Sequence, residues 1–291
     1  MDYGDRKPLL KFISKETKMT KYIDRYYLNW ELYGIKFGGE GPIERPDLWT
    51  PTFIQDISVS ISWSELQGIC FSKDWKYLYY SDYYQKTVGQ MTLSTNRDIS
   101  TATDTWQSLV VAYDSSWLAI SDDWRYFFIA CWTWYLLRYN LSTPYDISSW
   151  TLDENISYGS NLTWISFSDE WKKVYYMSYS ESKIKELSLA SPWTLTWATS
   201  VWEIAYPISG DTYRDCAVSP KWWKIFMVKQ MSSNSSLYQM NMSTDNDITT
   251  ATLANSTSVG FGGCGIFISP DWTKMYLSWI SNKKIYQYSL S

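Results

Sequence analysis

GCGIFISPDWTKMYLSW, residues 263–279, is a strand, a turn and a second strand in one line. Cys264–Ile268 is a short apolar run, Ser-Pro-Asp-Trp supplies turn residues, and Lys274–Trp279 returns to large apolar and aromatic side chains. Short apolar runs bounded by turn signals read as β-strands, and no helical period of useful length competes here. Four further stretches align with this one without gaps. They are LQGICFSKDWKYLYYSD (66–82), SSWLAISDDWRYFFIAC (115–131), LTWISFSDEWKKVYYMS (162–178) and YRDCAVSPKWWKIFMVK (213–229). The shared anchors are Trp75, Trp124, Trp171, Trp222 and Trp272, spaced 49, 47, 51 and 50 residues apart.

A second shared block follows each anchor: VGQMTLSTNRDI, LLRYNLSTPYDI, IKELSLASPWTL, LYQMNMSTDNDI and IYQYSLS. Each unit therefore holds an inner strand, a tight turn, a second strand, a third strand rich in Tyr, Leu and Met, and a more polar fourth strand such as TWQSLVVAY. Four short strands per repeat of roughly 50 residues predict an all-β fold, a β-propeller of about five four-stranded blades. The repeats lie near 63–111, 112–158, 159–209, 210–259 and 260–291. The last stops after its third strand, and TFIQDISVSIS (52–62) resembles a missing fourth. The expectation is that this N-terminal strand completes the last blade and closes the ring, leaving no open sheet edge. Residues 1–50 stand apart as an N-terminal arm, with a hairpin in KYIDRYYLNWELYGIKFGG and a Pro-containing linker in GPIERPDLWTP. Residues 51–291 form the propeller.

Composition removes several function classes. The net charge of −4 over 291 residues gives no electrostatic case for nucleic acid. No apolar run approaches the ~20 residues a membrane span needs, and the charged N-terminus has no apolar core of a secretory signal. Histidine is absent, which excludes Ser-His-Asp and Cys-His catalysis. Cys70, Cys131, Cys216 and Cys264 are far apart in apolar contexts with no CxxC, and read as buried free thiols. No metal site, Gly-rich phosphate loop, calcium loop or cofactor site is expected. The recurring Asp74, Asp123, Asp169, Glu170 and Asp271 read as turn residues.

Nineteen tryptophans against thirteen glycines is an inverted ratio. The residue after the turn acidic position in a D-x-K hairpin usually needs φ > 0, where glycine is free and a bulky residue costs roughly 1–3 kcal/mol. Here that residue is tryptophan in every repeat. The column before the inner strand mixes Gly68, Trp117, Trp164, Asp215 and Gly265, an exchange of the largest side chain for none. The expectation is that many tryptophans are glycines encoded by UGA. The candidates are Trp30, Trp63, Trp75, Trp117, Trp124, Trp132, Trp150, Trp164, Trp171, Trp197, Trp222, Trp272 and Trp279. Trp193 aligns with Arg97, Tyr145 and Asn246 and reads as a true tryptophan. The alternative is an aromatic surface that binds sugars or stacks at an interface.

With glycine in those columns, SPDWTKMYLS (269–278), LSTPYDIS (141–148) and IYQYSLS (285–291) resemble YVTN/NHL-like and lactonase-like propeller repeats. They are more similar still to propeller repeats of phage virion tail proteins. The resemblance covers residues 52–291. It implies a non-enzymatic binding or structural propeller, on a virion or another extracellular surface, contacting a host glycan or protein. A homo-oligomer, such as a tail-fibre trimer, is compatible with it. A lactonase-like hydrolase and an intracellular protein-interaction scaffold, hence a cytoplasmic location, stay open as alternatives. The loops joining second to third strands fall on one face and differ between blades: DYYQK (82–86), YSESK (179–183), MSSNSS (231–236) and SNKK (281–284). Tyr83 and Tyr84 are the candidate contact residues, because tyrosine combines contact area with a polar tip.

Overall fold

The computed structural model describes residues 51–291 apart from 62–64, 122, 160, 168–171, 208–212, 219–223, 231–233, 245–246, 261 and 291. The N-terminal hairpin expected within 1–50 lies outside the described residues. Among the described residues, twenty strands form five antiparallel four-stranded sheets. Blade 1 holds β2 (Leu66–Phe71), β3 (Tyr77–Asp82), β4 (Thr87–Leu93) and β5 (Ala102–Val110). Blade 2 holds β6 (Ser115–Ile120), β7 (Tyr126–Cys131), β8 (Tyr135–Leu141) and β9 (Trp150–Ser157). Blade 3 holds β10 (Leu162–Phe167), β11 (Lys173–Ser178), β12 (Lys183–Ser188) and β13 (Thr199–Ala205). Blade 4 holds β14 (Tyr213–Val218), β15 (Lys224–Lys229), β16 (Ser236–Met242) and β17 (Ala251–Ser258). Blade 5 joins β18 (Gly263–Ile268), β19 (Lys274–Trp279) and β20 (Lys284–Ser289) to β1 (Thr52–Ser58).

The N-terminal strand thus completes the last blade, with Thr52 opposite Ser289 and Ser58 opposite Lys284. The fold is a five-bladed propeller. Two boundaries differ from the sequence reading. Inner strands begin three residues earlier than their apolar runs, and β5 starts at Ala102, directly after one turn of 3-10 helix at Ile99–Thr101. That turn is pinned by Asp98, whose carboxylate accepts from the Ser100 N–H; Asp146 and Asp247 repeat the device.

Packing explains the apolar second strands. Each one is buried on both faces, so its residues alternate between two neighbouring blades rather than between core and water. Tyr79 packs with Phe127, Ile129 and Leu137 of blade 2, whereas Leu78 and Tyr80 pack with Tyr276 and Ile285 of blade 5. The same alternation gives Phe128 and Tyr176 to the blade 2–3 core and Phe226 and Leu277 to the blade 4–5 core. Each fully buried large side chain contributes about 1.5–3 kcal/mol, so the blades hold one another upright. The fourth strands face solvent, and β17 alternates exposed and half-buried residues along most of its length.

Neighbouring blades are also clasped by the turns after the third strands of blades 1, 2 and 3. Tyr276 Oη donates to Arg97 O at 2.9 Å, Tyr79 Oη donates to Tyr145 O at 3.3 Å, and Arg138 donates to Trp193 O at 2.6 Å. Arg97, Tyr145 and Trp193 have φ of 65°, 67° and 67°, so three unlike residues share one left-handed position.

The hairpin tryptophans Trp75, Trp124 and Trp272 have φ of 59°, 61° and 62°, as the D-x-K spacing predicts. Trp197 is also left-handed, with φ of 68°. Trp117, Trp132, Trp150, Trp164 and Trp279 are not left-handed, which removes the conformational reason for glycine there. Trp30, Trp63, Trp171 and Trp222 lie outside the described residues. The mixed column before the inner strand has a packing logic after all. Opposite Gly68 and Gly265 stand Ser81 and Ser278, each of whose hydroxyls accepts from the glycine N–H at 2.8 Å and donates to a carbonyl of the next blade, Ser116 O and Gln67 O respectively. Opposite Trp117 stands Ala130, and opposite Trp164 stands Met177. In blades 2 and 3, where the hydroxyl staple is missing, an indole fills the gap to the next blade.

Candidate functional site

The antiparallel order puts the turns after first and third strands on one face of the ring. The opposite face carries the hairpins between second and third strands and the links into the inner strands. On that second face the two sets are tied together. Tyr83 N–H donates to Glu65 O at 3.0 Å, Trp132 N–H to Asp114 O at 3.3 Å and Tyr179 N–H to Asn161 O at 2.9 Å. The hairpin tips are thereby held beside the residues that enter the ring's axis. Each described tip turns on one left-handed residue, Lys86, Trp134, Ser182 or Lys283, so the hairpin shape is shared while its chemistry varies.

Tyr83 and Tyr84 sit on this face, as the sequence reading placed them. Their rings meet edge to face at 5.1 Å, and Tyr84 is 59% exposed. Partial burial, then the nearby Asp114, Tyr84 and Glu65, push the Tyr83 hydroxyl pKa up against the opposing pull of Arg214. Tyr83 therefore stays a neutral donor and acceptor. Lys86 pairs with Asp114 at 3.3 Å, and Asp82 accepts from the Gln85 N–H at 3.0 Å. Burial raises the Asp82 carboxyl, opposed by that bond and by Lys283.

Arg214 is the residue that the sequence reading missed. It occupies the second position of β14, equivalent to Gln67, Ser116, Thr163 and Cys264 in the other inner strands. Its guanidinium lies 4.7 Å from the Trp132 ring and 5.4 Å from the Tyr179 ring, which themselves meet at 4.7 Å. Its Nε donates to Gln230 Oε1. A cation from blade 4 is thus stacked on aromatics from blades 2 and 3, a half-buried cation–π arrangement. The sequence signal was a lone charged residue among the uncharged residues of the aligned column. The site as a whole is a mouth lined by Tyr83, Tyr84, Tyr179, Trp132 and Arg214, with Glu65 and Asp114 beside them.

Asp215, next to Arg214, is a different kind of group. It is 3% exposed, and its two oxygens accept from Cys216 N–H at 2.8 Å and Ile266 N–H at 2.6 Å. Burial holds its carboxyl well above the ordinary carboxylate range despite both bonds. It staples blade 4 to blade 5, as Ser81 and Ser278 do elsewhere. The turn carboxylates have local partners: Asp74, Asp123 and Asp271 accept from Ser72, Ser121 and Ser269 hydroxyls at 2.6–2.7 Å. Asp169 and Glu170 lie outside the described residues. Among the described residues no three His, Cys, Asp or Glu side chains converge as metal ligands. All four cysteines are buried, and burial raises each thiol. Among the described residues no helix is long and apolar enough to cross a membrane.

No family model and no curated protein matches the chain. Solved structures are similar in fold. Hydrazine synthase of Kuenenia stuttgartiensis is 13% identical, with a TM-score of 0.48 over 84% of this chain and 59% of its own. A protein from Lactobacillus plantarum is 13% identical, with a TM-score of 0.45 over 73% of this chain and 63% of its own. This chain therefore spans under two thirds of the length of either. The β-propeller domain of Cps50 (Swd1) from Myceliophteria thermophila is 9% identical, with a TM-score of 0.49 over 83% of this chain and all of that domain.

Proposed function

We propose that the ring is a non-enzymatic binding propeller whose mouth contacts a protein or glycan, displayed on a virion tail or another extracellular surface. The observation that carries the binding role is the mouth itself. The exposed Tyr84, its partner Tyr83 and the Trp132–Tyr179–Arg214 stack come from different blades and are held by backbone bonds to the ring. Rigid aromatic groups with polar tips give contact area at low entropic cost, and stacked arginine adds a directional donor set. The mechanism is rigid display: the ligand adapts to a preorganised surface. The virion setting rests on the repeat resemblance alone.

The test is binding of immobilised propeller to a glycan array and to host envelope proteins, with Tyr84→Ala and Arg214→Ala compared against the parent. Tyr84→Ala is expected to weaken binding at least tenfold with an unchanged melting temperature. Binding indifferent to both substitutions would refute the mouth as the contact surface. Metal-dependent lactone hydrolysis by the purified ring would replace this reading with the hydrolase one.

A further inference from the structure

Tryptophan supplies 19 of 291 residues, yet it supplies seven of the twelve described non-glycine residues with positive φ. Two of the seven occupy positions where other blades place unlike residues. Trp193 shares its turn with Arg97 and Tyr145, and Trp134 shares its turn with Lys86, Ser182 and Lys283. The other five sit in three separate motifs, each of which favours glycine. Trp75, Trp124 and Trp272 close the first hairpin of a blade, donating to Ser72 O, Ser121 O and Ser269 O at 2.9, 3.1 and 2.8 Å. Trp106, φ 59°, lies in β5 where the register with β4 shifts between Gly89 and Met91, a bulge with its left-handed residue. Trp197, φ 68°, is third of four in a turn closed by Ala198 N–H donating to Leu195 O at 3.1 Å, a place where glycine is favoured.

Burial cannot explain the exposed pair. Trp106 and Trp197 are each 82% exposed, so their rings gain almost nothing from packing to offset a left-handed backbone. Trp193 stacks on Phe128 at 6.1 Å and meets Phe167 at 5.9 Å, and the buried Trp75 and Trp272 also pack on aromatic rings, so at 75 and 272 the hairpin position and its left-handed backbone carry the argument. Glycine accounts for only two of the described positive-φ positions, Gly159 and Gly260. One residue type has taken the conformational niche of another.

We infer that the protein made in its source organism carries glycine at positions 75, 106, 124, 197 and 272, through UGA codons decoded as glycine, while Trp193 is a true tryptophan. The assignment is narrower than the sequence pattern suggested, because it rests on backbone conformation, and it adds Trp106, which no alignment column had marked. It also bears on ligand binding. Two of the most exposed indoles on the ring, which would otherwise invite a sugar-stacking role, are not part of the native surface.

Peptide mass spectrometry of the protein purified from its source tests this directly. Glycine masses at 75, 124 and 272, with tryptophan at 193, are expected. Tryptophan at those three turns overturns the inference. An independent measurement uses recombinant chain with tryptophan throughout. Trp106→Gly and Trp197→Gly should each raise the melting temperature by about 2–4 °C, while Trp193→Gly should lower it. A fall on both exposed substitutions would show that the turns are adapted to tryptophan and would likewise overturn it.

Discussion

Replacing Gly68 with alanine tests the idea that the ring is closed by direct backbone contact between inner strands. A Cβ on Gly68 would lie 2.5 Å from Ser116 O and 2.7 Å from Trp117 Cα, both backbone atoms of the next blade. An ordinary contact begins near 3.4 Å, so β6 would have to retreat by about 0.9 Å. In an open sheet that movement is easy. Here β6 is also packed against β10, and the ring returns through β14 and β18 to β2, so the displacement has nowhere to go. Overpacking of this kind costs about 1–3 kcal/mol. The same shift strains the Ser81 staple, and an orphaned buried N–H or carbonyl costs about 1–3 kcal/mol more. A total of about 2–6 kcal/mol corresponds to a fall of about 4–24 °C in melting temperature. Gly159 is the control, because its φ is +69° and a Cβ there meets nothing within 4 Å. Gly159→Ala should cost only the left-handed backbone term, about 1–2 kcal/mol. Thermal unfolding followed by circular dichroism compares the two. If Gly68→Ala melts within about 2 °C of the parent, or is the milder of the pair, inner-strand contact does not hold the ring.

Three further outcomes are expected. Asp215 has a raised folded pKa, so its stabilising protonated form is fully present below the unfolded value of 3.8 and its contribution is lost as pH rises through the folded value; the melting-temperature difference between parent and Asp215→Asn should shrink from pH 4 to pH 8, and a constant difference would show that the carboxyl does not titrate. Asp271 is lowered, its desolvation outweighed by bonds from Ser269 and Thr273 and by Arg97, so its contribution is present above 3.8 and lost on acidification; Asp271→Asn should flatten stability below pH 4, and unaltered acid sensitivity would count against it. The four buried thiols should resist a disulfide reagent in the native state and all react in denaturant; rapid labelling of native protein would contradict their burial.

The fold was legible because every blade repeats the same turn chemistry at the same spacing. Ser72–Lys76 and its equivalents announce a hairpin without any tertiary information, and the five anchors number the blades. The doubly buried second strands were readable as strands through their length and their flanking turns, since alternation is absent from them. The strand that closes the ring was readable from the missing fourth strand of the last repeat. The mouth was legible only in part. Tyr83 and Tyr84 stand out in a loop as two adjacent aromatics, but Arg214 and Tyr179 are 35 residues apart and meet only because blades 3 and 4 are neighbours. The logic of the glycine column was likewise hidden. Ser81 and Ser278 lie 13 residues from the glycines they serve, and the carbonyl they reach belongs to another blade.

Blade 5 draws its outer strand from the other end of the sequence, since β1 pairs with β20. A ribosome therefore releases Thr52–Ser58 long before its partner exists. At ~5–20 residues per second, the roughly 230 residues to β20 take about 10–50 s to emerge. Throughout that interval the segment carries Phe53 and Ile54 on an unpaired β-forming edge, and both remain substantially exposed even in the finished ring. The growing chain is thus most vulnerable to strand exchange with a neighbouring nascent copy on the same messenger. Chaperone dependence should concentrate in those seconds rather than after release.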